Sequence, residues 1–210
     1  MTPISLSGHK KKDSCVGAMT WGCDVTANHL FASSEPLDSA KFVGYHKAID
    51  AEKWQPLYAF DEIGAGDEIA VTNDGSRLAL ITCREDHTHP LHIYDIRRSD
   101  PETVASIELP SFPSGMEGEV TSASFSPDGI YLALGRNDNC IHVYDSRFFD
   151  RLLFEYKHRG TPRTHPGNHS YGVVKVQWVD NDLVLPFGLV TGGNDGELAC
   201  YTYYKFITVS

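Results

Sequence analysis

The sequence predicts an all-β fold of repeated four-stranded antiparallel sheets. Three observations carry it. The segment Val120–Arg147, VTSASFSPDGIYLALGRNDNCIHVYDSR, reads as three short apolar runs joined by the turns SPDG and RNDN. The same order of runs and turns returns in Ala70–Arg97 and Val173–Tyr203, and more weakly in Val16–Ala48. A tyrosine closes each third run, at Tyr45, Tyr94, Tyr144 and Tyr201, spaced 49, 50 and 57 residues apart. Self-similarity at a long period marks a repeat architecture.

The elements follow in order. A short outer strand is expected at Pro3–Ser7 (PISLS), ahead of the first copy. Further outer strands are expected between the copies, at Pro56–Phe60, Thr103–Leu109 and Arg151–Tyr156. On this reading residues 1–210 form one region with repeats of approximately 3–48, 56–97, 103–147 and 151–204. The fourth copy then lacks an outer strand, and Pro3–Ser7 is expected to supply it, because an uncovered sheet edge exposes unpaired backbone groups. Long loops are expected at Ser34–Ala40, Pro110–Glu119 and Lys157–Ser170.

Several of these residues form motifs. YDIR at Tyr94 and YDSR at Tyr144 resemble the WD dipeptide that ends a WD repeat, with tyrosine in place of tryptophan. FSPDG at Phe125–Gly129 resembles the turn between the first two strands of such a repeat. Ser7-Gly8-His9 and Asn168-His169 resemble its GH dipeptide, and TGGNDGELACY at Thr191–Tyr201 its second turn and third strand. The resemblance covers almost the whole chain and implies a β-propeller of four-stranded antiparallel blades, about four of them present. It also implies a buried polar network in the fourth copy, with His169 donating to Thr191, Thr191 linked to Asp195, and Tyr201 completing it. The third copy has Leu134 where the hydroxyl would sit, so its blade is expected to rest on packing. Propellers run from four to eight blades. Three states are therefore open: a piece of a longer propeller, which is favoured, a two-copy ring of eight blades, or solitary closure.

Composition narrows the function. The net charge of −10 disfavours sequence-independent nucleic-acid binding, which needs Lys and Arg on phosphates. No apolar run reaches membrane-spanning length, and Met1–Asp13 has no signal-like apolar segment. Five cysteines without CxxC spacing read as reduced thiols of a cytoplasmic or nuclear protein, with Cys140 and Cys200 expected to be buried in strands.

No catalytic constellation emerges: there is no GxSxG, HExxH or phosphate-binding glycine loop. His87, His89 and His92 form one metal-like cluster, with Asp86 or Cys83 as further ligand candidates. His92, however, takes the place of His142, two residues before each tyrosine, which reads as a structural strand position. No metal or cofactor is expected.

The resemblance implies a protein-interaction scaffold whose loops vary at the ends of rigid strands. The end bearing the entry to each first strand is expected to carry Asp61, Glu62, Asp67, Glu68, Arg84, Asp86, Glu117, Glu119 and Arg136, with Arg159 and Arg163 nearby. Basic or mixed-charge peptides are the expected partners. An alternative comes from YDIR and YDSR, which resemble the signature of propellers that serve as substrate receptors of cullin-based ubiquitin ligases. Arg97 and Arg147 would then dock an adaptor. The remaining alternative, a propeller enzyme, would need acids and histidines converging on the ring axis.

Overall fold

The computed structural model describes residues 15–35, 42–46, 55–60, 65–97, 102–158, 172–181, 185–193, 198–202 and 205–209. They form four antiparallel sheets of four strands, each built from consecutive strands. The first holds β1 (Cys15–Trp21), β2 (His29–Glu35), β3 (Phe42–His46) and β4 (Gln55–Phe60). The second holds β5 (Ala65–Val71), β6 (Arg77–Cys83), β7 (Pro90–Asp95) and β8 (Glu102–Glu108). The third holds β9 (Val120–Phe125), β10 (Tyr131–Arg136), β11 (Cys140–Asp145) and β12 (Leu152–Lys157). The fourth holds β13 (Val173–Asn181), β14 (Leu185–Gly193), β15 (Leu198–Thr202) and β16 (Lys205–Val209). These are propeller blades.

One expectation is corrected. The fourth blade takes its outer strand from Lys205–Val209, antiparallel to β15, not from Pro3–Ser7, which lies outside the described residues. The physical reason is local: Thr202 pairs with Lys205 across a tight connection, and short-range closure costs less chain entropy than return of the distant end. Cys140 and Cys200 are half-buried free thiols, not fully buried ones.

The turns form where their chemistry demands. In SPDG, Asp128 accepts from Ile130 N (3.0 Å) and from Ser126 Oγ (2.5 Å), and Gly129 takes φ +70°. Thr72–Gly75 (TNDG) repeats this with Asp74 and with Gly75 at φ +68°. Positive φ suits glycine because it has no Cβ to clash.

A shared register organises the blades. Opposite each anchor tyrosine stands a leucine of the second strand: Leu30↔Tyr45, Leu78↔Tyr94, Leu132↔Tyr144 and Leu189↔Tyr201. All four leucines are buried, as are Tyr94, Tyr144 and Tyr201. The middle strands are covered on both faces, while outer strands such as β8 are largely exposed.

The core lies between successive sheets. Phe31 of the first blade packs with Leu78, Leu80 and Tyr94 of the second. Ile81 and Ile93 pack with Leu132, Leu134 and Tyr144 of the third. Ile141 and Val143 pack with Val176, Leu189 and Tyr201 of the fourth. The first strands stack in series, β1 on β5, β5 on β9 and β9 on β13, and among the described residues no comparable packing joins β13 to β1. The blades thus form an arc.

Candidate functional site

The ends of the blades are shaped by bulges. The pairing of first and second strands slips near the same end in every sheet, skipping Asp67 in the second blade, Thr121 in the third and Val174 in the fourth. A bulge re-aims the side chain that it displaces. Asp67 accordingly reaches the next blade, accepting from Val120 N at 3.2 Å. Thr121 does the same with the carbonyl of Val173.

Asp67 is therefore not on an open acidic face, as the sequence suggested. Its carboxylate is mostly covered and lies 2.8 Å from Nδ1 of His89, which is itself buried. Burial opposes charge on that imidazole, but the bond to Asp67 and the proximity of Cys83 and of the Asp67 charge outweigh it and push its pKa up to about 9. The second ring nitrogen, Nε2, has no hydrogen-bond partner among the described residues. Glu68 is half-buried, and burial raises its pKa against the opposing bond from Ile69 N.

Arg136 is the second correction. Its side chain is 3% exposed and ion-paired to Asp138, Nη2 to Oδ2 at 2.8 Å. It also donates to the carbonyls of Pro110 (2.7 Å) and Ser111 (3.3 Å) and lies 3.8 Å from the centroid of the Phe112 ring. A guanidinium presents several donors in a fixed fork and can stack on a ring at the same time. Arg136 is thus a clamp on the connection between the second and third blades. Asn137 completes that clamp, donating from Nδ2 to the Glu117 carbonyl (2.8 Å) and accepting at Oδ1 from Glu119 N (3.2 Å).

Beside Arg136, His142 is buried and its pKa falls to about 4, chiefly through burial and then through the Arg136 charge. A neutral ring fixes the roles of its two contacts. Nδ1 accepts from Arg136 Nη1 at 3.5 Å, and Nε2 donates toward Glu155 at 3.5 Å.

Four residues of the expected face stay accessible together. Arg84 is partly exposed and lies 3.8 Å from Glu108. Asp86 is exposed, and bonds from the Thr88 hydroxyl and amide lower its pKa. Glu117 and Glu119 are exposed on the clamped loop. Asp61, Glu62, Arg159 and Arg163 lie outside the described residues.

At the opposite end, Arg97 and Arg147 each fold back on their own aspartate. Arg147 meets Asp145 through Nε (2.9 Å) and Nη2 (2.7 Å), and Arg97 grips Asp95 in the same way. Both arginine side chains remain more than half exposed. Arg147 also borders a cleft of ≈ 270 Å³ between the turns at Thr72–Arg77 and Pro127–Ile130.

In the fourth blade Thr191 is fully buried, and its hydroxyl lies 2.8 Å from His158 Nε2. The expected partners His169 and Asp195 lie outside the described residues. Tyr201 is buried and stacks on Tyr156, with centroids 4.3 Å apart. In the third blade Leu134 is buried, and the Tyr144 hydroxyl has no partner among the described residues. His92 and His142 take matching registers, Leu80↔His92 and Leu134↔His142. His87 sits alone on an exposed turn at φ +62°, so the three histidines expected as a cluster do not converge. The trio that does converge is Asp67, Cys83 and His89. The sequence placed Cys83 and His89 near one another but gave no sign of the bulge that adds Asp67.

Comparison with known proteins agrees with this architecture. The repeat profile "WD domain, G-beta repeat" matches residues 109–145, the clamped loop and the first three strands of the third blade. Protein tipD of Dictyostelium discoideum is 33% identical over 98 residues, covering 46% of this chain and 15% of tipD. Target of rapamycin complex subunit LST8 of Saccharomyces cerevisiae is 33% identical over 92 residues, covering 44% of this chain and 26% of that subunit. A chain in the crystal structure of the mitotic checkpoint complex superposes with a TM-score of 0.66 at 17% identity, over 96% of this chain and 54% of that one. This chain therefore spans about a quarter or less of the curated relatives and about half of the solved chain. Four consecutive-strand blades and a shared Leu–Tyr register give the chain the fold of a WD-type β-propeller, with a WD repeat matched at residues 109–145.

Proposed function

We propose that this chain is a protein-interaction platform that binds a basic or mixed-charge peptide segment at the end bearing Asp86, Glu117 and Glu119. WD-repeat proteins generally serve as interaction scaffolds, which fits strands that fix a frame and loops that vary on it. The observation that carries the reading is the clamped loop Leu109–Glu119. Arg136 and Asn137 hold its backbone at Pro110, Ser111, Glu117 and Glu119 while both glutamates face solvent. Binding to such a loop loses little ordering entropy. The test is a triple substitution, Asp86→Lys, Glu117→Lys and Glu119→Lys, against a panel of Lys- and Arg-rich peptides. Loss of the peptides bound by the unmodified chain supports the reading, and unchanged affinity ends it. A cytoplasmic or nuclear site of action fits this role.

A second reading rests on Arg97 and Arg147, which repeat one geometry at the other end of neighbouring blades. In it the chain is a substrate receptor of a cullin-based ubiquitin ligase, and the two arginines dock an adaptor. Capture of the adaptor, lost in Arg97→Ala plus Arg147→Ala with the thermal midpoint unmoved, supports it. No capture by the unmodified chain rejects it.

The arc itself favours assembly. Met19 (59% exposed) and Trp21 (53%) lie on the first strand of the first blade, and Val174 (51%) and Leu198 (48%) on the last blade. Apolar flanks of this kind are usually covered. Association of two copies into an eight-bladed ring would cover both. Light scattering at the mass of two chains supports that ring, and a well-folded monomer rejects it.

A further inference from the structure

We propose that Asp67, Cys83 and His89 form a binding site for a thiophilic divalent cation, with Zn²⁺ the best fit. One ligand atom from each residue lies within 4.8 Å of the others. The set of carboxylate, thiol and imidazole is the borderline-soft donor set that Zn²⁺ prefers. Zinc–sulfur and zinc–nitrogen bonds of about 2.3 and 2.0–2.1 Å place tetrahedral ligands roughly 3.5 Å apart. The three ligand atoms lie within 4.8 Å of one another, with His89 Nδ1 already 2.8 Å from Asp67 Oδ2, so shifts on the order of an ångström reach that spacing, with water as the fourth ligand.

Three further observations separate this trio from the framework of the repeat. First, it belongs to one blade. Counting from the Leu–Tyr pair, the matching places in the third blade hold Thr121, Asn137 and Asn139. Carbonyl acceptance confirms the match at the last place: His89 O receives Leu109 N as Asn139 O receives His158 N. The fold makes its turns and joints there with Asn and Thr, so it does not require Asp, Cys and His. Second, His89 is 97% buried, yet Nε2 finds no acceptor among the described residues. The imidazole therefore keeps ligand capacity that the described residues around it leave unused. Third, the site is held open on two sides. Val120 N ties down Asp67 Oδ2 at 3.2 Å, and Phe112 meets the His89 ring edge-on at 4.9 Å. Cys83 is half-buried, which leaves a route for the ion on its side.

Loading exchanges protons for the ion. The imidazole proton that the ion displaces and the thiol proton of Cys83 leave to solvent as the three metal bonds form, so affinity rises with pH. No electron is transferred.

The test uses the full chain, stripped with a chelator and titrated with Co²⁺, which takes zinc geometry and gives a near-ultraviolet charge-transfer band when a thiolate is bound. One equivalent is expected to give the band. It is expected to vanish in Cys83→Ser, a half-buried and conservative change, and to persist in Cys140→Ser. Zn²⁺ is expected to raise the thermal midpoint of the unmodified chain and to leave that of Cys83→Ser unmoved. Absence of the band in the unmodified chain, its survival in Cys83→Ser, or its loss in Cys140→Ser overturns the assignment.

Discussion

Arg136 and Phe112 lie 3.8 Å apart, cation over ring, and between them they lock the connection of two blades. The arginine comes from the third blade, and the same ring also meets His89 of the second. Cation–ring, ring–imidazole and imidazole–carboxylate contacts therefore run in a line from Asp138 to Asp67.

Removal of the arginine should be severe. Arg136→Ala strands the buried carboxylate of Asp138 and frees the carbonyls of Pro110 and Ser111. Loss of one partner from a buried pair typically costs about 3–5 kcal/mol. Arg136→Lys should recover only part of this, because an ammonium cannot form the two-nitrogen grip on Asp138. Denaturant titration of the three chains checks the order.

Acid should destabilise the third blade through His142. Its folded pKa of about 4 lies below the value of about 6.5 for an exposed imidazole. The unfolded chain thus binds the proton first, and stability falls as pH drops from about 6.5 toward 4. The groups facing the ring are Arg136 from β10, Asp138 from the following turn, Glu155 from β12 and Tyr144 on its own strand. The loss should be on the order of 2 kcal/mol across that window. Unfolding free energies at pH 7 and pH 4.5, for the unmodified chain and His142→Gln, should differ in slope. Equal slopes reject the assignment.

Gly135 should tolerate no side chain. A Cβ there would stand 2.9 Å from Val173 Cγ1 and 3.1 Å from Val176 Cγ1 of the next blade. Gly135→Ala should cost about 1–3 kcal/mol by overpacking. Val173→Ala in the same chain should recover much of it, and calorimetric midpoints of the single and double variants test this.

The Thr191 hydroxyl should matter for its bond and not for its bulk. Thr191→Val keeps the shape but removes the partner of His158 Nε2, at a cost of about 1–3 kcal/mol. Thr191→Ser should restore most of the stability. Equal midpoints for the valine and serine variants would show that packing alone holds the site.

Much of the fold was legible in the sequence because it is local. SPDG and TNDG carry their own turn chemistry in Asp128 and Asp74, and the tyrosine period marked four sheets. Long-range relationships were less legible. The leucine opposite each tyrosine is spelled out only once register is known. Arg136 reads as a surface charge until Asp138 and Phe112 close over it. His158 sat in an expected loop eleven residues before the histidine that the motif favoured, and a bond to Thr191 across 33 positions leaves no local trace. Asp67 was counted with the acids, because one displaced residue in a strand changes which way a side chain faces and leaves composition untouched.

No described blade borrows a strand from another. Each sheet closes its own backbone bonds, and neighbours are held by side-chain packing, a few struts such as Asp67–Val120, and the connecting peptide. A cut between blades therefore orphans no strand; it exposes only the apolar surface between two sheets. Such a chain can gain, lose or permute whole blades with every ladder intact, and the joints between blades, more than the blades themselves, set how large an assembly it builds.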